Sequence, residues 1–168
     1  MEYTAQQNTQ QDVGTSPGAD SEERRERMAE AIEQLLERRR DVMVGYCELA
    51  GLERYDDAEV VHPRLRALCQ AMMDYTALGH FEIYERIIAG NERRTKVREV
   101  ATRTYPALAD TTDILVDFND KYDVLDARDS MNQLADDLSR LGETFAARIE
   151  LEDQILAALG RPVTANDA

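Results

Sequence analysis

The chain has no tryptophan, two histidines and two cysteines among 168 residues, and each scarcity removes a class of protein. Di-iron bundles draw a Glu-x-x-His pair from each of two helices, plus two further glutamates, because hard metal ions want several carboxylates with imidazole support. Here Ala77 stands three positions before His80, and Glu59-x-x-His62 falls in a loop-like stretch directly before a proline. Haemerythrin-like sites want several histidines, which two cannot supply. No metal and no other cofactor is expected. Cys47 and Cys69 make neither a disulfide framework nor a zinc spacing. In apolar-rich helical surroundings they read as small buried hydrophobes in a reducing cytosol. No apolar run approaches the ~18–20 residues needed to cross a bilayer, and the polar start MEYTAQQNTQQDVG shows no secretory signal. The expectation is a cytoplasmic protein without a membrane partner. Gly-rich phosphate loops, nucleophile elbows and Cys/His pairs in a catalytic context are missing too, so no enzymatic activity is expected.

Bases are also scarce. Thirty-four acids against 20 bases leave a net charge of −14. Such a surface repels phosphate backbones and anionic lipid and favours a basic partner. Direct nucleic-acid binding needs clustered Lys and Arg to replace counterions, so it is not expected. Solubility, or adaptation to a salty cytoplasm, would produce the same composition.

What the chain has is helical periodicity. Residues 1–20 offer few apolar groups and read as a disordered tail, residues 21–160 as one helical-bundle domain, and residues 161–168 as a short second tail. Asp20 and Glu23 have capping-box spacing, so the first helix is expected to open at Asp20 or Ser21. Met28, Ile32, Leu35, Leu36, Val42, Met43, Tyr46 and Leu49 then recur at three- and four-residue steps until Gly51. Residues 52–62 read as a loop, with Pro63 as a first helical residue. A second helix is expected over residues 63–89, ending at Gly90. A third starts near Asn91 or Glu92 and reaches Val124, kinked or restarted at Tyr105-Pro106. The fourth covers residues 129–159, with Leu134, Leu138, Leu141, Phe145, Ile149, Glu152, Ile155 and Leu159 on one stripe and Gly160 at its end. The predicted fold is all-α: an antiparallel four-helix bundle of long helices. With only 6% aromatics, its core must be built from Leu, Ile, Val and Met.

The most informative stretch is Asp74-Tyr75-Thr76-Ala77-Leu78-Gly79-His80-Phe81-Glu82-Ile83-Tyr84-Glu85-Arg86. At about 100° per residue, Leu65, Cys69, Met72, Thr76, Ile83 and Ile87 share one helix face. Asp74, Phe81 and Glu85 fall on the opposite one. A phenylalanine between acids and turned from the packing stripe is a scattered surface aromatic, a contact to another element of the chain, or a docking site for another protein. Gly79 marks either a close helix crossing or a local break that exposes His80 and Phe81. His80 reads as a structural histidine bonded to a carboxylate. Glu152, on an apolar stripe, needs a buried partner, for which His80, Arg86 or Tyr84 would serve.

Three segments carry a family resemblance. Asp74-Tyr75-x-x-x-Gly79-His80-Phe81-x-x-Tyr84-Glu85 is the first. The second is Tyr105-Pro106-x-Leu108-x-x-x-Thr112, followed by Phe118-Asn119-Asp120-Lys121-Tyr122-Asp123, and the third is Arg148-Ile149-x-Leu151-Glu152-Asp153-x-Ile155. In order and spacing, across roughly residues 30–160, they resemble the Rsd/AlgQ family, the regulators of sigma D. The first helix departs from the family pattern: Glu33-Gln34-Leu35-Leu36 stands where relatives carry an Asp-Arg-Trp-Leu run. The resemblance implies a helical-bundle anti-sigma factor that binds the primary sigma factor of RNA polymerase, chiefly its C-terminal domain, which reads the −35 promoter element. It implies that Asp74, Phe81 and Tyr84 belong to the partner surface, with His80 and Glu85 beside or beneath them. Other regulatory proteins are further partners in the family. The alternative function is a helical-bundle ligand- or metal-binding protein.

Overall fold

Asp57 sets the start of the second helix. Its carboxylate accepts a hydrogen bond from the Glu59 amide at 3.1 Å, an N-cap bond worth about 1 kcal/mol. The computed structural model describes residues 17–123 and 131–161, and every regular element among them is helical. Helix α1 is Pro17–Ala50, α2 Ala58–Leu78, α3 Thr95–Asp123 and α4 Leu134–Ala158. Two π-helical segments, Gly79–Tyr84 and Ile87–Asn91, prolong α2. Gly90 ends the run at φ 87°, in the left-handed region that favours glycine.

Several boundaries move from their expected places. Helix α1 begins at Pro17, so residues 17–20 are helical and Asp20 lies in the first turn. Proline suits a first helical position because its missing amide has no intrahelical partner there. The rest of the expected N-terminal tail, residues 1–16, lies outside the described residues, as do residues 162–168. With Asp57 as cap, the loop after α1 shortens and Pro63 sits inside α2 instead of opening it. Pro106 likewise lies inside α3, which continues across it without a restart. Helix α4 closes at Gly160, φ 86°, where the Arg161 amide reaches back to the Leu156 carbonyl at 3.0 Å.

The helices pack chiefly as α1 on α2, α2 on α3 and α3 on α4. Leu35, Leu49, Val61, Met72, Ile83, Ile87, Leu115 and Leu134 are wholly shielded from solvent. Each such side chain contributes about 1.5–3 kcal/mol relative to an exposed one. All six residues of the expected stripe, Leu65, Cys69, Met72, Thr76, Ile83 and Ile87, are buried. Cys47 is not: it is exposed on α1, which corrects its reading as a buried hydrophobe. Its neighbour Tyr46 turns inward instead, donating to the Leu138 carbonyl at 3.0 Å and meeting Phe145 edge-on, with centroids 5.7 Å apart. Gly142 makes that approach possible, because a Cβ there would collide with the Tyr46 hydroxyl.

Candidate interaction surface

The surface rests on a buried polar network around Glu152, a fully enclosed carboxylate on α4. Tyr75 donates to Glu152 Oε2 at 2.5 Å and Tyr84 to Oε1 at 2.7 Å. Arg148 Nε, one turn earlier on α4, reaches Oε1 at 3.0 Å. Arg39 of α1 bridges Glu152 at 3.1 Å and Asp153 at 2.7 Å. Arg148 extends the network to α3 through the hydroxyls of Thr111 and Thr112, at 3.0 and 2.9 Å. Burial pushes the Tyr75 and Tyr84 hydroxyls above their usual pKa range, and the Glu152 carboxylate reinforces the shift. Burial opposes the charges of Arg39 and Arg148. Glu152 and Tyr75, with Asp153 at Arg39 and Tyr84 at Arg148, together outweigh it, and both guanidiniums are held above their ordinary range. At neutral pH the network therefore holds neutral phenols and charged guanidiniums, each donating toward one carboxylate. A buried acid is costly unless it is paired and hydrogen-bonded in this way.

The opposite side of the same helical run faces solvent. Phe81 is 60% exposed, the most exposed large apolar side chain among the described residues. His80 is half-buried against it, with ring centroids 4.7 Å apart in an edge-on arrangement. His80 Nε2 lies 3.3 Å from Glu85 Oε1, and Nδ1 lies 3.5 Å from the Tyr105 hydroxyl of α3. Asp74 is exposed two turns earlier and accepts a bond from Gln70 Nε2 at 2.9 Å. Glu82 pairs with Arg86 at 2.5 Å. The result is one phenyl ring flanked by carboxylates and braced by an imidazole.

Among the residues expected at a partner surface, then, His80, Phe81 and Glu85 are brought into one cluster, and Asp74 lies exposed on the same helical run. Tyr84 does not join them. It is 2% exposed and its hydroxyl belongs to Glu152, which corrects its assignment to the outer surface. It does supply the buried partner expected for Glu152. His80 and Arg86, the other candidates for that role, bond to Glu85 and Glu82 instead. Sequence periodicity missed Arg39, Tyr75 and Arg148. Arg148 lies four residues before Glu152, a spacing that pairs charges on a helix and was the available signal.

Gly79 explains how the cluster is seated. A Cβ at this position would lie 2.9 Å from Tyr84 Cε2 and 3.3 Å from Leu35 Cδ1. The glycine permits a close crossing, and the helix widens at the same point into its π-helical turn. Such widened turns recur at functional sites. Among the described residues no group of three or more His, Cys, Asp or Glu is arranged to hold a metal ion. No described helix is long and apolar enough to cross a membrane.

The class of protein is given by its relatives: this all-helical chain is a transcription regulator. The chain matches the family described as "Regulator of RNA polymerase sigma(70) subunit, Rsd/AlgQ" over residues 18–160, and it belongs to that family. It is 33% identical over 131 residues to the Regulator of sigma D of Yersinia enterocolitica, covering 76% of this chain and 78% of that one. It is 32% identical over 131 residues to the protein of that name in Yersinia pseudotuberculosis, with the same coverage. The Regulator of sigma D of Enterobacter sp. is 32% identical over 130 residues, 75% of this chain and 78% of the other. No solved structure matches the chain.

Proposed function

We propose that this protein is an anti-sigma factor that binds the primary sigma factor of RNA polymerase, chiefly the C-terminal domain that reads the −35 promoter element. It acts by stoichiometric sequestration, with no catalytic step, in the cytoplasm. The four helices serve as an antiparallel bundle, bent at Pro106, that presents the Phe81 surface. Membership of a family of sigma(70) regulators supports the partner class. The exposure of Phe81 at 60%, between carboxylates, is the observation that carries the site.

The chemistry follows from charge and burial. A domain that reads promoter DNA is basic where it meets phosphate. A chain of net charge −14 steers toward that surface and competes for it. Phe81 entering an apolar pocket of the partner is the kind of central anchor that dominates an interface. Asp74 accepts charge-assisted hydrogen bonds from a partner arginine, worth roughly 1.5–3 kcal/mol when desolvated. Occupying this surface lowers the free pool of housekeeping sigma and favours alternative sigma factors when growth slows.

The test is calorimetric titration of purified primary sigma factor into wild type, Phe81→Ala and Asp74→Ala. Wild type binds, and Phe81→Ala loses at least about thirtyfold in affinity, the mark of a hot spot. Both variants keep the wild-type helical signal and melting temperature. Normal binding by both would move the site elsewhere, and no binding by wild type would remove the function.

A further inference from the structure

We infer that the groove between the end of the π-helical run and the start of α3 is a second docking site, which takes an acidic amphipathic helix of a partner protein. The groove is open to solvent and has a volume of about 580 Å³. One wall is Ile88 and Gly90 over the wholly buried Ile87, and the other carries Arg98 and Arg103. Ile88 is 44% exposed, so the groove offers apolar surface to a ligand. Arg98 and Arg103 are five positions apart on α3 and carry no ion pair among the described residues.

Charge separates this groove from the rest of the molecule. Residues 92–103 hold five bases (Arg93, Arg94, Lys96, Arg98, Arg103) and two acids (Glu92, Glu99), a local balance of +3 in a chain of net −14. Arg94 is occupied, held by Glu92 at 2.9 Å. The other four cations carry no ion pair among the described residues. A basic partner that seeks the Phe81 surface is repelled from this groove, so it serves a ligand of opposite character. The apolar wall and the Glu99 carboxylate in the lining disfavour a phosphate backbone, which gains from bases alone. An amphipathic helix with apolar residues at i, i+3, i+4 and i+7 and flanking glutamates meets both walls: its stripe covers Ile88, and its acids meet the arginines.

The probe is a fluorescein-labelled, 18-residue helical peptide with a leucine stripe and glutamate flanks, titrated with the intact chain and followed by anisotropy. A second peptide carries lysine in place of every glutamate. The acidic peptide binds saturably and the basic one binds at least tenfold more weakly. The double variant Arg98→Glu/Arg103→Glu loses at least tenfold. Ile88→Ser also loses affinity while retaining the charges, and Phe81→Ala binds the peptide as wild type does. Each substituted residue is exposed, and circular dichroism melts report whether the folds are intact. Equal binding of the two peptides, an unchanged Arg98→Glu/Arg103→Glu variant, or displacement by a duplex DNA oligonucleotide at lower concentration than by unlabelled acidic peptide would each overturn the inference. Sigma factor titrated into the same variants separates this site from the Phe81 site, because failure of either leaves the other measurable.

Discussion

Tyr75 and Tyr84 donate to the two oxygens of one carboxylate, Glu152, although nine residues separate them on a single helical run. On a regular α-helix nine steps of about 100° leave two side chains on opposite faces. The π-helical segment Gly79–Tyr84 lies between them and supplies the difference. A turn closed by i→i+5 bonds holds an extra residue, and this swings every later side chain back around the axis. The widened turn thus brings Tyr84 inward while Phe81, within the same turn, stays out. One local irregularity builds both the internal clamp and the external surface.

That clamp is expected to be stability-critical. Glu152→Gln keeps the shape but removes the charge that compensates Arg39 and Arg148. Breaking a buried ion pair from one side costs about 3–5 kcal/mol. Glu82→Gln, which breaks an exposed pair with Arg86 on the same run, is expected to cost no more than about 1 kcal/mol. Urea denaturation of both variants at pH 7 measures the contrast. Equal effects would show that Glu152 does not organise the interior.

The tyrosine hydroxyls carry a smaller share. Tyr84→Phe deletes one hydrogen bond to a carboxylate that keeps Tyr75, Arg39 and Arg148, so the loss is about 1.5–3 kcal/mol. Tyr84→Ala also opens a cavity beside Gly79 and costs about 3–5 kcal/mol, as aromatic truncations do. If Tyr84 met the partner directly, Tyr84→Phe would cut sigma affinity without changing stability. The buried hydroxyl predicts the reverse: lower stability, with sigma affinity retained in the folded fraction.

Some of this was legible in the sequence and some was not, for identifiable reasons. The inward stripe from Leu65 to Ile87 could be read because each of its residues is apolar or small and the spacing is helical. The out-turned Phe81 could be read for the same reason. Tyr84 is assigned outward by the family resemblance and not by its place on the wheel; its burial is fixed by Glu152, an acceptor 68 residues further along the chain. Arg148 is passed over although it lies four residues before Glu152, because a buried arginine looks like a surface arginine until its neighbours across the bundle, Thr111 and Thr112, are known. The start of α2 was missed because Pro63 is a strong punctuator, and Asp57 overrides it by satisfying an amide before the proline is reached. Cys47 reads like Cys69 from its neighbours, yet Tyr46 takes the inward position beside it.

The two cysteines make a chemical test of that last placement. Burial pushes the Cys69 thiol up to about 12, so it stays protonated and enclosed at pH 8. Cys47 is exposed. An aromatic disulfide reagent is expected to titrate one thiol per folded chain rapidly and both only in denaturant. Cys47→Ser should abolish the fast phase and leave the slow one. Two fast thiols would place Cys69 outside the core.

Acid stability should depend on the contact between α3 and α4. Burial tends to raise the Asp137 pKa, but hydrogen bonds from Lys121 at 2.5 Å and Tyr122 at 2.5 Å outweigh it and hold the carboxyl below its usual value. A group whose folded pKa is depressed contributes fully above its unfolded value, 3.8, and loses that contribution as pH falls through the folded value. Stability is therefore expected to hold from pH 7 to about 5 and to decline on acidification below about 4. Asp137→Asn should be less stable at pH 7 and show a shallower acid decline. Parallel slopes for wild type and variant would assign the acid response to other carboxylates.

Gly79→Ala sets two effects against each other. Alanine is the better helix former by about 1 kcal/mol, and Gly79 has ordinary helical angles, φ −59° and ψ −46°, so backbone strain does not oppose the change. Packing does. The new methyl would lie 2.9 Å from Tyr84 Cε2 and 3.1 Å from its hydroxyl oxygen, with Leu35 Cδ1 at 3.3 Å. Overpacking of an enclosed site costs about 1–3 kcal/mol. Tyr84 has little room to yield, because its hydroxyl is fixed to Glu152. Displacement of that ring would also turn the segment that carries Phe81. The expected outcome is a net loss of stability together with weaker sigma binding, whereas an exposed glycine in a helix would give a gain. Thermal melts and sigma titration on one preparation read both effects. A raised melting temperature with unchanged binding would mean that the widened turn is free to relax and does not hold Phe81 in place.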